Sequence, residues 1–171
     1  MGRSGSTLQF NWARVLVEAM EVGVSHGYVH QDADHTRGES DEVVAGWARD
    51  SAYHVMKAHA AHPVVLELLQ EGTARVCYIH RDLRDVAVSM ISTWGWRRER
   101  LAHALGKEVG HYTALASMRE RAPERFVWQR YEQVMADPVT AVREVADLLD
   151  LSVDDDVVLR VVSECSLDAA K

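Results

Sequence analysis

Residues 77–92 read CYIHRDLRDVAVSMIS. This stretch decides the fold class because its apolar period changes midway. Its first part completes the run ARVCYIH, residues 74–80, which is β-branched and aromatic and predicts a buried strand ending at His80. From Asp85 to Thr93 the apolar spacing becomes helical. Arg81 therefore stands at the carboxyl end of a strand, and Ser89 lies in the helix that follows. A planar guanidinium and a hydroxyl so placed suit a phosphate. The same charges, Arg81, Asp82, Arg84 and Asp85, also read as a surface ion-pair cluster.

Working outward, the alternation of strand and helix continues. Tyr53–His59, YHVMKAH, reads as a strand running into a loop, and Arg125–Gln129, RFVWQ, as another strand. Helices are predicted over Glu42–Arg49, over Val64–Gln70 with Gly72 at its end, and over most of Arg97–Arg121. Asp137-Pro138 starts a further helix, with Asp as cap and Pro in the first turn. Val142, Val145, Ala146 and Leu149 form its buried stripe, and a last helix covers about Asp155–Glu164. Strands alternating with helices imply a parallel sheet covered on both faces, with ligands at the carboxyl ends of the strands.

The amino-terminal stretch GRSGST, residues 2–7, precedes a helical pattern at Leu8, Trp12, Val15, Leu16 and Ala19. Gly23 and Gly27 are read as ending that pattern, and Ser4 or Ser6 as its cap. Gly2 and Gly5 let backbone approach a ligand. Ser4, Ser6 and Thr7 offer hydroxyls, Arg3 a charge, and the helix its free N–H groups. A Walker A loop needs Gly-Lys-Ser/Thr, which is missing. The bland alternative is a Ser/Gly-rich tail.

Taken together and in this order, the two stretches resemble the sulfotransferases that use 3′-phosphoadenosine 5′-phosphosulfate (PAPS). Arg3-Ser4-Gly5-Ser6-Thr7 is similar to that family's 5′-phosphosulfate loop, P-[KR]-S-G-[ST]-T. Arg81 to Ser89 is similar to its 3′-phosphate motif, R-[DN]-P-R-D-[VA]-x-x-S. VMKAHAAHP, residues 55–63, resembles its strand ending K-[TS]-H, and residues 126–151 resemble its Y-E-D-L-x-x-[DN]-P segment and amphipathic helix. The resemblance spans residues 2 to about 167. It implies one domain over residues 1–171 with a three-layer, P-loop NTPase-like α/β fold and a central parallel sheet. It also implies PAPS as donor and 3′-phosphoadenosine 5′-phosphate (PAP) as product.

For the site, the resemblance implies that Arg3, Ser4, Gly5, Ser6 and Thr7 hold the 5′-phosphate. Arg81 and Ser89 would hold the 3′-phosphate, and Tyr131 would lie near the adenine. Lys57 and His59 fall in the active site. An imidazole with an ordinary pKa near ~6.5 suits removal of a proton from an acceptor hydroxyl. Lys57 and Arg3 would neutralise charge on the leaving phosphate. The pattern departs from the family's at Leu8, where Trp is common, and at Leu83, where Pro is usual. The sequence has no counterpart of the C-terminal glycine-rich R-K-G segment, nor of the family's first strand, which should be central in the sheet. The expectation is that residues upstream of Met1 encode that strand, or that the sheet lacks it.

Composition narrows the rest. A net charge of −7 argues against nucleic acid as the general partner. No apolar run approaches the ~18 residues of a membrane span. The amino terminus does not read as a secretory leader. Two cysteines, Cys77 and Cys165, read as free thiols, so the expectation is a cytoplasmic protein. HQDADH, residues 30–35, invites a metal reading, but nothing fixes it on a helix or strand, and a solvated loop is preferred. TWGWRRER, residues 93–100, reads as a helix end with one buried Trp or as part of an acceptor lid. The function expected is sulfuryl transfer, without a metal, to a hydroxyl or amine of a small-molecule or glycan-type acceptor. The alternatives are a degenerate relative that binds nucleotide or a protein partner, and a small kinase, which the missing Gly-Lys-Ser/Thr disfavours.

Overall fold

The structure is a computed structural model and describes residues 4–28, 41–58 and 63–166. Helix α1 (Ser6–Ala19) is followed by β1 (Gly23–Tyr28), α2 (Asp41–Trp47), β2 (Tyr53–Lys57), α3 (Pro63–Glu71) and β3 (Val76–His80). Then come α4 (Leu83–Trp94), α5 (Arg98–Arg121), a 3-10 turn, β4 (Phe126–Arg130), α6 (Tyr131–Ala136), α7 (Pro138–Leu148) and α8 (Asp155–Glu164). The alternation read from the sequence is therefore present, and both cysteines are unbridged.

Strand period places the layers. On β3, Cys77 and Ile79 face one core, while Val76 and Tyr78 face another. The first core joins Trp12, Leu16 and Val17 of α1 to Val142 and Val145 of α7 and Val158 and Val161 of α8. The second joins Leu69 of α3 and Leu115 of α5 to Tyr78 and Phe126. Helices thus cover the strands on both faces, as expected for parallel strands buried on two sides. The stripe Val142, Val145, Ala146 and Leu149 is buried throughout. A chain of buried amides binds the layers: Gln9 Nε2 donates to Gln129 Oε1 (2.9 Å), and Gln129 Nε2 donates to the Ala141 carbonyl (2.9 Å).

Two elements differ from the sequence reading. Gly23 and Gly27 do not merely end a helix, because Gly23–Tyr28 forms a strand parallel to β2. A Cβ at Gly23 would lie 2.3 Å from the Tyr53 carbonyl oxygen, so the close pairing itself requires glycine. GVSHGY carries no run of β-branched residues, and its partner strand imposes its conformation. The second difference concerns the sheet. Among the described residues the strands form two parallel pairs, β1–β2 and β3–β4, rather than one continuous ladder.

Candidate active site at the carboxyl ends of the strands

The loop before α1 is pinned from below. Ser4 is fully buried and its Oγ donates to the Ile79 carbonyl (3.1 Å) at the end of β3. Its hydroxyl, expected at the ligand, anchors the loop instead. Gly5 has φ +92°, a conformation open to glycine at little cost. A Cβ there would lie 2.8 Å from Tyr131 Cδ2 and 3.2 Å from Ile79 Cδ1. Gly5 is also the N-cap of α1, so neither Ser4 nor Ser6 takes that role, and among the described residues no side chain caps the helix. Helices α4, α7 and α8 are capped by their own carboxylates, Asp82, Asp137 and Asp154. Helix α1 has neither a cap of this kind nor an acidic residue in its first turn. Its positive end and unspent amides favour an anion.

Two cations flank this helix start. Lys57, at the carboxyl end of β2, donates from Nζ to Thr7 Oγ1 (2.5 Å). Burial pulls its pKa below the ordinary lysine value, because the charged ammonium is partly stripped of water. A bound anion would offset that penalty. The second cation, Arg81, follows β3, and its guanidinium lies 4.5 Å from the Tyr131 ring centre. Tyr131 therefore touches both the loop glycine and the arginine. Arg81 Nε is buried and has no hydrogen-bond partner among the described residues; Asp85 and Glu132 stand 3.8 and 4.0 Å away. A buried donor left unmade is costly, and an anion would satisfy it.

The surface-pair reading of the same stretch holds for a different arginine. Asp82 accepts from the Arg84 amide (2.8 Å) and from Arg84 Nη2 (2.6 Å). These bonds hold its carboxyl below the usual carboxylate range. Arg84 is thus spent on the cap of α4, whereas Arg81 is not. Ser89 is half-buried on α4, one turn beyond Asp85, on the helix face that Arg81 approaches. Arg3 and His59 lie outside the described residues, as does the 30–40 stretch. Trp94 and Trp96 stack at 4.8 Å, and Arg100 covers Trp96 at 4.4 Å. Sequence reading gave no role to Glu132, which stands beside both Arg81 and Arg130. Its position directly after Tyr131 was the available signal.

A family profile describing the sulfotransferase domain matches residues 7–171. The chain belongs to the sulfotransferase family. Its fold is similar to that of mouse sulfotransferase SULT7A1, whose crystal structure is a complex with PAP, with TM-score 0.71 and 14% identity. The match covers 99% of this chain and 63% of that one, so the chain spans less than two thirds of that relative's length. At this identity the likeness is one of fold. The P-loop NTPase-like α/β architecture expected from the resemblance is the architecture of this sulfotransferase domain. Among the described residues no helix is long and apolar enough to cross a membrane, and no group of three acidic, His or Cys side chains is arranged to hold a metal.

Proposed function

We propose that this sulfotransferase moves a sulfuryl group from PAPS to a hydroxyl or amine on a small-molecule or glycan-type acceptor, in a cytoplasmic setting. The observation that carries this reading is a pair of cations beside a helix start with no side-chain cap among the described residues: Lys57 on Thr7, and Arg81 on Tyr131, which itself borders Gly5. A nucleotide with two separated phosphates would use both flanks. The 5′-phosphate would sit on the amides of Ser6 and Thr7 beside Lys57 and Arg3. The 3′-phosphate would take Arg81 and Ser89, and Tyr131 would border the adenine.

In the transfer, an acceptor oxygen or nitrogen attacks sulfur in line. The bond from sulfur to the bridging oxygen breaks, and its electron pair stays on the 5′-phosphate of PAP. The acceptor's proton passes to His59. Lys57 and Arg3 offset the charge that grows on the bridging oxygen. Catalysis of this kind is mainly positioning and electrostatics, by analogy with phosphoryl transfer.

Calorimetry with PAP, paired with a transfer assay from labelled PAPS to a panel of phenols, alcohols, amines and glycans, tests the reading. PAP binding with transfer supports it, and no PAP binding at millimolar concentration refutes it. The binding-only alternative has one observation of its own, the interrupted strand ladder beneath the loop. PAP binding without transfer to any acceptor of the panel would favour that alternative.

A further inference from the structure

The parallel register of β3 and β4 sets His80 opposite Arg130, so the two strands end side by side. The residues after them leave the sheet together: Arg81 and Asp82 from β3, Tyr131 and Glu132 from β4. Glu132 falls in the first turn of α6, where a carboxylate suits the positive end of a helix. It also brings a negative charge beside the arginine that the sulfuryl-transfer reading gives to the 3′-phosphate. A carboxylate and a phosphate compete for the same guanidinium donors.

Distance decides which arginine Glu132 engages. Its Oε2 accepts from Arg130 Nε at 2.9 Å. Its Oε1 stands 4.0 Å from Arg81 Nε, beyond hydrogen-bond reach. The other nearby carboxylates are already placed. Asp85 stands 3.8 Å from Arg81 Nε, one turn along α4, and Asp82 accepts from Arg84 Nε and Nη2. Among the described residues the Arg130 side chain hydrogen-bonds Glu132 alone. Arg130 is about half exposed, and a pair so exposed contributes little to stability. Its effect is on Glu132. A shift of about 1 Å would bring Glu132 Oε1 within reach of Arg81 Nε, the buried donor that is otherwise unmade.

We propose that Arg130 is a positioning residue of the second phosphate site: it holds the Glu132 carboxylate off Arg81, so that Arg81 keeps its Nε–H for a phosphate monoester. Resting on the reading of Arg81 as a 3′-phosphate ligand, this makes Arg130 act through Glu132 rather than by touching the nucleotide. Without Arg130, Glu132 closes on Arg81, and an incoming 3′-phosphate has to displace a bonded carboxylate. Without both, Arg81 is open again.

Calorimetry tests this with PAP and with adenosine 5′-phosphate, which lacks the 3′-phosphate. The proteins are the parent chain, Arg130→Gln, Glu132→Gln and the double variant. Arg130→Gln should weaken PAP at least ~10-fold, the scale of one hydrogen bond to a charged group. The double variant should recover PAP binding to within ~5-fold of the parent, as should Glu132→Gln alone, and adenosine 5′-phosphate should bind all four proteins within the same range. A loss that persists in the double variant means that Arg130 itself meets the phosphate, and overturns the proposal. PAP binding by Arg130→Gln at the parent's strength overturns it too. Nitrogen-15 spectra without nucleotide give a second measurement. The Arg81 Nε–H signal, identified by its loss in Arg81→Ala, should shift in Arg130→Gln and return in the double variant. A signal that does not move contradicts closure of Glu132 on Arg81. A parent chain that binds PAP no tighter than adenosine 5′-phosphate refutes the 3′-phosphate role of Arg81 itself, a failure visible before any substitution, and the proposal falls with it.

Discussion

Replacing Gly5 by Ala tests the loop most directly. Two costs follow from the geometry. The φ of +92° becomes strained once a Cβ is present, at roughly 1–2 kcal/mol. The new methyl would also meet Tyr131 Cδ2 at 2.8 Å, Tyr131 Cε2 at 3.1 Å and Ile79 Cδ1 at 3.2 Å. Ile79 is held in the core, so the Tyr131 ring must give, and overpacking of this kind costs about 1–3 kcal/mol. The sum is about 2–5 kcal/mol. For a chain of this length each kcal/mol moves the midpoint by about 2–4 °C, so Gly5→Ala should melt roughly 4–20 °C lower. Because the displaced ring carries Arg81, PAP affinity should fall with it. Urea unfolding with an unchanged slope, together with calorimetry, measures both. Gly106→Ala is the control: it sits within α5 with nothing within 4 Å of its added Cβ, so it should stabilise by about 0.5–1 kcal/mol. A Gly5→Ala protein that melts within a degree of the parent and binds PAP normally would refute the argument.

The remaining predictions concern charge and titration. Arg81→Ala should weaken PAP binding by roughly 10- to 150-fold, the worth of a charge-assisted hydrogen bond, with little change in melting, and Arg81→Lys should not restore it. Unaltered PAP calorimetry would remove Arg81 from the site. His59→Ala should abolish turnover while PAP affinity stays nearly intact; an unchanged rate assigns the base elsewhere. Burial, then Arg130, lowers the His80 pKa below its ordinary value. Between that lowered value and ~6.5 the unfolded chain binds more protons, so stability should rise with pH across the window and be lost as pH falls. His80→Gln should flatten that slope in urea titrations from pH 4.5 to 7, and identical slopes would contradict it. Burial pushes the Cys77 thiol up to about 12, so thiol reagents at pH 8 should modify it much more slowly in the folded chain than after unfolding.

Much of the fold was legible because its signals are local. β3 and β4 carry β-branched and aromatic runs, and α7 combines an Asp-Pro start with an apolar stripe that is fully buried. In each case the residues that set the local period are also those the core removes from water. The same holds for Arg81, which marks a strand end in the sequence alone, whereas Tyr131 entered through the family resemblance and its helix, α6, carries no signal read from the sequence.

What the sequence did not determine depends on partners far along the chain. GVSHGY becomes β1 because Tyr53 approaches Gly23 too closely for any side chain. Ser4 reads as a ligand hydroxyl, yet the Ile79 carbonyl, seventy-five positions away, takes it. Asp82 and Arg84 pair with each other and leave Arg81 stacked on Tyr131, a division invisible in a run of alternating charges. Local pattern therefore marked most of the helices and strands and the strand end at which Arg81 stands. Tertiary structure decided which polar groups are spent on the scaffold and which remain for a ligand, because a buried donor or acceptor is satisfied by whatever the fold brings within about 3 Å.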